Sequence, residues 1–163
     1  MKFRNIVMAG AMFASVCVVE AQVEVKHLQP NEKSPIANGV WAGDTLYLSG
    51  QLADPVTPAD PAKGTAAVYG DTKAQAFSAL TKIQGLLKAQ GLDMKDVVKM
   101  TVFLAGDPEK GGKLDFSGLQ ASYTQFFGTK DQPNKPARSA MQVAALAAPW
   151  ALVEIEVIAV KSK

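Results

Sequence analysis

The stretch "ALVEIEVIAV", residues 151–160, alternates apolar and acidic residues around its centre. This period of two predicts a β-strand. In an extended chain Glu154 and Glu156 lie on one face, and the valines and isoleucine beside them lie on the other. The sheet that contains this strand is therefore expected to have one apolar face and one face with two carboxylates.

A second strand is predicted just before it, over residues 137–145, and the short segment "AAPW" connects the two. A short connection favours antiparallel neighbours. In this earlier strand Arg138 has the same parity as Ala140 and Gln142. We therefore expect Arg138 to lie at the end of the strand pair that is far from the turn.

The upstream sequence predicts the remaining elements. A short strand starts near Val23, and a hairpin follows with arms Val40–Ala42 and Thr45–Leu52, a Gly43-Asp44 turn and then a loop that contains Pro55, Pro58 and Pro61. The first helix starts with a Thr72–Gln75 capping box and ends at Gly91, and its apolar residues are Phe77, Leu80, Ile83 and Leu87. A strand over Val97–Ala105 comes next, and then a helix that is capped by Asp115, ends at Gly128 and carries Phe116, Leu119, Tyr123 and Phe126. This order predicts an α+β domain whose mixed six-stranded sheet is covered by two helices on one side. Its other face needs a cover that a homo-oligomer would supply.

Composition excludes several classes of function. The chain has 163 residues, and its net charge of +2 comes from scattered lysines with no basic block, so nucleic-acid binding is not predicted. His27 is the single histidine, which makes a histidine-based metal site improbable. "GDPEKGG" (residues 106–112) lacks the lysine-serine end of a phosphate loop and is interpreted as a surface turn. No cofactor is predicted.

The N-terminus has the pattern of a secretory signal peptide. The basic start "MKFRN" precedes a 14-residue apolar run, and small-residue spacing places a cut after Ala21. We expect a signal peptide over residues 1–21, a single mature domain over 22–163 and a periplasmic or secreted location without membrane association. The alternative is a buried N-terminal helix or strand. The only cysteine, Cys17, lies in this run, so the mature chain would have no thiol.

Arg138 and Arg4 are the only arginines in a chain that otherwise takes its positive charge from lysine. A guanidinium holds a carboxylate with two parallel hydrogen bonds, which a lysine ammonium cannot do. Arg138 could therefore capture a small anion, or it could form a structural ion pair with a carboxylate of the last strand. The residue pattern leaves both interpretations open.

Five motifs occur together in one order: "LYLSGQL", "DVVKMTVFLAG", "YTQFF", "KPARSAMQVAAL" and "ALVEIEVIAV". With these five motifs in this order, the chain resembles the Rid family, also called YjgF-type or endoribonuclease L-PSP proteins, over about residues 30–161. The resemblance implies a chorismate-mutase-like subunit and a homotrimer with clefts between subunits. It also implies hydrolysis of reactive enamines and imines, such as 2-aminoacrylate and 2-iminopropanoate, to 2-oxo acids and ammonia.

The resemblance also assigns site residues. Arg138 corresponds to the arginine that grips the substrate carboxylate, and Glu154 to the position that orients or activates water. Ser49 and Gly50 correspond to the serine and glycine that line the cleft. Two positions differ from the family: Ile36, in "SPIAN", takes the place of a tyrosine, and Gln120 takes the place of an asparagine.

Two functions follow as alternatives. The first is a deaminase of small 2-imino acids. The second is a non-catalytic module that binds a small carboxylic acid, such as a 2-oxo acid, in the same cleft. Ribonuclease activity, a label attached to the family, is disfavoured by the scattered lysines and the missing catalytic histidine.

Overall fold

The computed structural model describes residues 22–162, so the predicted signal peptide lies outside the described residues. The elements of this part of the chain are β1 (Val25–Leu28), β2 (Gly39–Ala42), β3 (Thr45–Gln51), α1 (Thr72–Ala89), β4 (Val97–Leu104), α2 (Phe116–Tyr123), β5 (Ala137–Gln142) and β6 (Val153–Val160), with 3-10 turns at Met94–Asp96 and Pro108–Lys110. No helix within residues 22–162 has the length and apolar character that a membrane span requires.

The strands form one mixed sheet in the order β1-β2-β3-β6-β4-β5. Two helices pack on one side of it, which confirms the predicted α+β architecture. The predicted antiparallel pairing of β5 with β6 is wrong, because β6 pairs with β3 and β4, and β5 runs parallel to β4. The physical reason is the crossover: α2 carries the chain from the end of β4 back to its start, and such a connection yields parallel strands.

The predicted capping box at the start of α1 is also wrong. Asp71 is the N-cap, and its carboxylate accepts the Ala74 N–H at 2.8 Å. The Gln75 side chain is therefore free for other partners: its amide donates to the carbonyls of Gly70 and Trp150, and its carbonyl oxygen accepts the Leu152 N–H. Gln75 thus joins the start of α1 to the residues that lead into β6.

The end of α1 follows the prediction. Gly91 has a φ of 76°, the left-handed conformation that glycine adopts without strain, and its N–H bonds to the Lys88 carbonyl. α2 and the last two strands are shorter than predicted, because α2 ends at Tyr123, β5 ends at Gln142 and β6 begins at Val153.

The apolar residues of the sheet face α1 and α2 on what we call the covered face. Leu46, Leu48, Met100, Val102, Ile155 and Val157 are buried there with Leu80, Ile83, Leu87 and Leu119 of the helices. Each fully buried side chain of this kind contributes roughly 1.5–3 kcal/mol. Phe77, predicted for the same helix face, is instead 45% exposed and packs on Phe126 at 5.4 Å between ring centroids.

The opposite side of the sheet, which we call the open face, has no element of residues 22–162 over it. It carries Tyr47, Lys99, Thr101, Phe103, Met141, Glu154, Glu156 and Ile158, since these alternate along the strands with the buried residues. Tyr47 is 48% exposed and Met141 is 41% exposed. The predicted division of β6 into an apolar and an acidic face is confirmed.

Candidate functional site

Arg138 is the second residue of β5, where it lies opposite Met100 of β4 on the covered face. Its guanidinium carbon is 4.1 Å from the ring centroid of Tyr123 and 5.6 Å from that of Phe116. Both distances are within the range of a cation–π interaction. The two aromatic side chains therefore hold the guanidinium at the edge of the sheet.

The hydrogen bonds of Arg138 are incomplete. Nη2 donates to Oε1 of Gln120 at 3.0 Å, whereas Nη1 is buried and has no hydrogen-bond partner in the described part of the chain. A buried donor without an acceptor costs about 1–3 kcal/mol. Arg138 therefore has unused capacity for an acceptor, and a carboxylate oxygen is the acceptor that suits a guanidinium best.

Helix α2 presents the residues around Arg138 from one side. Phe116, Gln120 and Tyr123 are spaced four and three residues apart, so they lie on the same helix face. Asp115 caps this helix: its carboxylate accepts the Ser117 hydroxyl at 2.7 Å and the Gly118 N–H at 3.0 Å. These two hydrogen bonds hold the pKa of Asp115 below its ordinary value.

Tyr123 is buried between α2 and the sheet and stacks on Phe127 at 4.9 Å between ring centroids. Burial raises the pKa of its phenol, and the Arg138 charge opposes that rise without cancelling it. The phenol is therefore neutral near pH 7. It supplies an aromatic face for the guanidinium, with no phenolate to neutralise it.

The structural ion pair considered for Arg138 is not found. The ion pairs within residues 22–162 join lysines to aspartates, and Arg138 takes part in none of them. Its neighbours are two aromatic rings and a neutral amide. The positive charge of Arg138 is thus uncompensated by any carboxylate of the described chain.

Glu154 lies on the open face, opposite Phe103 of β4. Its carboxylate lies over Gly50, where an added Cβ would overlap Oε1 of Glu154. The pairing of β3 with β6 shifts register between Leu48 and Gln51, so Ser49 and Gly50 form a β-bulge beside Glu154. Bulges of this kind re-aim side chains next to functional sites.

The loop before β2 is attached to this bulge. The Ser49 hydroxyl donates to the Ala37 carbonyl at 2.7 Å, which places the segment with Ile36 beside Ser49. The Ser34 hydroxyl donates to the Ile36 carbonyl at 2.6 Å, and the Ile36 side chain is 64% exposed. Ser49, Gly50, Ile36 and Glu154 therefore belong to one region.

The predicted site residues thus form two groups. Arg138 and Gln120 lie together on the covered face, and Glu154 lies with Ser49 and Gly50 on the open face. One chain does not bring Arg138 and Glu154 together. The reason is the strand order, because β4 separates β5 from β6.

Sequence reasoning placed Phe116 and Tyr123 on the second helix but missed the contacts of both rings with Arg138. The signal was the spacing of Phe116, Gln120 and Tyr123 on a single helix face. His27 lies exposed in the edge strand β1, opposite Val40. In residues 22–162 no group of three histidine, cysteine or acidic side chains is placed to hold a metal ion.

Comparisons with known proteins agree with this fold. The family model for Endoribonuclease L-PSP matches residues 27–161. The 2-iminobutanoate/2-iminopropanoate deaminase of Capra hircus is 42% identical over 132 residues, which cover 81% of this chain and 84% of the goat protein.

Two solved structures from Escherichia coli are also similar. The YjgF gene product is 34% identical, with a TM-score of 0.61, and the match covers 82% of this chain and 93% of the YjgF chain. TdcF with bound serine is 32% identical, with a TM-score of 0.61, and the match covers 88% of this chain and 100% of the TdcF chain. The chain therefore belongs to the endoribonuclease L-PSP family, which is the Rid family of YjgF-type proteins.

Proposed function

We propose that this protein is a hydrolytic deaminase of small 2-imino and enamino acids that releases 2-oxo acids and ammonia. The observation that carries the proposal is Arg138, whose buried Nη1 lacks an acceptor and whose guanidinium carbon lies 4.1 Å from the ring centroid of Tyr123. This arrangement suits a carboxylate. The name of the goat relative, a 2-iminobutanoate/2-iminopropanoate deaminase, supports the same substrate class.

The chemistry requires little beyond positioning. The carbon of a protonated imine is already electrophilic, so holding the substrate carboxylate on Arg138 fixes that carbon beside a water molecule. Glu154 accepts a proton from this water as the new C–O bond forms, and the C=N π electrons move to nitrogen. Glu154 then returns this proton to the amino group of the resulting carbinolamine. The C–N bond breaks with its electron pair leaving on ammonia, and the hydroxyl group gives its proton back to Glu154 as the C=O bond of the 2-oxo acid forms. No cofactor enters these steps.

Arg138 and Glu154 act on one substrate in this scheme only when they come from different chains. We propose a homotrimer in which the open faces of three copies pack together and Glu154 of one subunit approaches Arg138 of the next. The open face supports this proposal, since it combines half-exposed Tyr47 and Met141 with Phe103 and Ile158. Apolar patches of this kind mark association surfaces.

We also propose that the protein acts outside the cytoplasm, because residues 1–21 have the pattern of a signal peptide. In that location the ligand would be a small 2-imino or 2-oxo acid rather than a nucleic acid. The scattered lysines offer no continuous track for phosphates.

The second candidate is a non-catalytic module that binds a small carboxylic acid at Arg138. One observation favours it: Ile36, an exposed aliphatic side chain, stands where the family carries a tyrosine. An isoleucine offers no hydroxyl to the cleft, so the region around Ser49 has fewer polar groups for catalysis than the family pattern.

A trapping assay separates the two candidates. An amino-acid oxidase generates 2-iminopropanoate, semicarbazide traps the imine, and added protein competes for it. We expect the wild type to lower the trapped amount, Arg138→Ala to lose this effect and Arg138→Lys to keep only a small part of it, since an ammonium lacks the bidentate geometry. A wild type that never lowers the trapped imine but binds 2-oxobutyrate saturably would instead establish the binding module.

A further inference from the structure

The bulge at Ser49 and Gly50 receives a hydrogen bond from a side chain of its own strand. The pairing of β3 with β6 has an extra residue on β3 at this point, which interrupts the regular ladder of backbone hydrogen bonds. Nε2 of Gln51, the residue that follows the bulge, donates to the Ser49 carbonyl at 2.9 Å. Gln51 therefore holds the bulge where the ladder is irregular.

This hydrogen bond acts on the peptide group that leads into Gly50. The carbonyl of Ser49 and the N–H of Gly50 belong to one planar unit, so a donor on that carbonyl restrains the orientation of the whole unit. The other side-chain and loop hydrogen bonds of Ser49 start from different atoms: its N–H donates to the Asn38 carbonyl at 3.0 Å and its hydroxyl to the Ala37 carbonyl at 2.7 Å. They attach the bulge to the loop before β2, whereas Gln51 restrains the step into Gly50.

The position of Gly50 decides where the Glu154 carboxylate can lie. An added Cβ at Gly50 would overlap Oε1 of Glu154 and come within 2.8 Å of its carboxyl carbon, so the carboxylate rests directly against the glycine backbone. No salt bridge among residues 22–162 holds Glu154 in another way. A rotation of the Ser49–Gly50 peptide would therefore change the surface on which this carboxylate lies.

We propose that Gln51 is a positioning residue, which holds the bulge in the shape that sets the Glu154 carboxylate against the attacking water. This inference rests on the proposed function, since it assigns the proton-accepting step to Glu154. Gln51 pairs with Ile155, a buried residue of the covered face, whereas Glu154 lies on the open face. Gln51 therefore acts through the backbone, and a displacement of about 1 Å can slow a reaction about a hundredfold.

Two substitutions remove the amide donor without shortening the side chain. Gln51→Glu keeps the shape but replaces the donor with an oxygen that repels the Ser49 carbonyl, and Gln51→Met has no donor at all. We expect kcat for 2-iminopropanoate hydrolysis to fall about tenfold in both, with KM within about twofold of the wild type, because Arg138 is untouched. Gln125→Met is the matched control: Gln125 also donates to a backbone carbonyl of its own segment, that of Ala121, and kcat should equal that of the wild type.

A double-mutant cycle separates the positioning of Glu154 from a purely structural role. In a Glu154→Gln protein the residual hydrolysis no longer uses the carboxylate, so Gln51→Met should change kcat there by less than about twofold. A tenfold loss in both backgrounds would mean that Gln51 acts on the fold as a whole, and it would overturn the proposal. Circular dichroism and light scattering verify that each variant is folded and assembled like the wild type, and Gln51→Glu replaces Gln51→Met in the cycle if methionine disturbs folding.

The remaining outcomes are also decisive. An active wild type with an unchanged kcat in Gln51→Glu and Gln51→Met would overturn the positioning role and leave the proposed function intact. A wild type that hydrolyses no imine would reject the proposed function, and the role of Gln51 with it.

Discussion

The two faces of the sheet differ in how completely a single chain buries them. On the covered face, Leu46, Met100 and Ile155 are wholly buried beneath α1 and α2. On the open face, Tyr47 and Met141 remain about half exposed beside two glutamates. Folding of a single chain therefore completes one face only.

This difference separates the parts of the candidate site. Arg138 lies on the completed face, where Tyr123 fixes its guanidinium before any ligand arrives. Glu154 lies on the uncompleted face, held near Gly50 but without a charged partner among residues 22–162. The proposed recognition of a carboxylate therefore needs the residues of one subunit only, whereas the proposed hydrolysis depends on assembly.

The largest expected effect comes from breaking the covered face at Gln75. Gln75→Met removes the side chain that bonds three backbone groups, the carbonyls of Gly70 and Trp150 and the N–H of Leu152. We expect the free energy of unfolding to fall by about 3 kcal/mol, since buried backbone groups lose their partners. Urea unfolding measures the change. Gln125→Met, at an exposed position, should stay within about 0.5 kcal/mol of the wild type.

The second effect tests whether the open face is an association surface. Ile158→Lys places a charge at the centre of this face, opposite Tyr47 and Lys99. We expect the proposed trimer to weaken by about 2 kcal/mol per interface, roughly thirtyfold, while the subunit stays folded. Light scattering across a dilution series measures it. Val68→Lys, in the proline-rich loop, is the control, and equal behaviour of the two variants would argue against association through the open face.

A smaller effect is expected at Gly50, where the open face holds Glu154. Gly50→Ala displaces the carboxylate of Glu154, because the new Cβ occupies its position. We expect this variant to hydrolyse the imine about tenfold more slowly, which corresponds to an activation barrier about 1.4 kcal/mol higher. The free energy of unfolding should be almost unchanged, since a glutamate side chain can move aside. Gly85→Ala, with no atom near its added Cβ, should keep full activity. Full activity in Gly50→Ala would remove Glu154 from the proposed mechanism.

The smallest effect concerns the cap that orients α2 above Arg138. Asp115→Ala should lower the free energy of unfolding by about 1 kcal/mol at pH 7, because it removes the acceptor for the Gly118 N–H. The pKa of Asp115 is lowered in the folded protein, so its stabilisation is fully present above pH ~4 and is lost as the pH falls through the lowered pKa. Urea unfolding at pH 7 and pH 3 should therefore show a smaller difference from the wild type at pH 3. A constant difference would mean that ionisation of Asp115 contributes nothing.

Much of this architecture was predictable from local patterns. The alternation in residues 151–160 gave β6 its two faces, and the Gly43-Asp44 turn gave the β2–β3 hairpin. Gly91 marked the end of α1 because only its left-handed φ permits that cap. The predicted capping box failed because Asp71, one residue earlier, supplies the acceptor, and Gln75 has distant partners that no local pattern contains.

The sequence by itself determined the α+β class, the helix and strand positions to within a few residues and the exceptional status of Arg138. These follow from interactions between residues close in the chain, such as side-chain periodicity, caps and turns. Only the tertiary structure decided that β5 pairs with β4, that Tyr123 and Gln120 surround Arg138 and that Glu154 lies on the opposite face. Such contacts join residues that are far apart in sequence. They depend on the crossover through α2, and the packing of the whole domain determines that crossover.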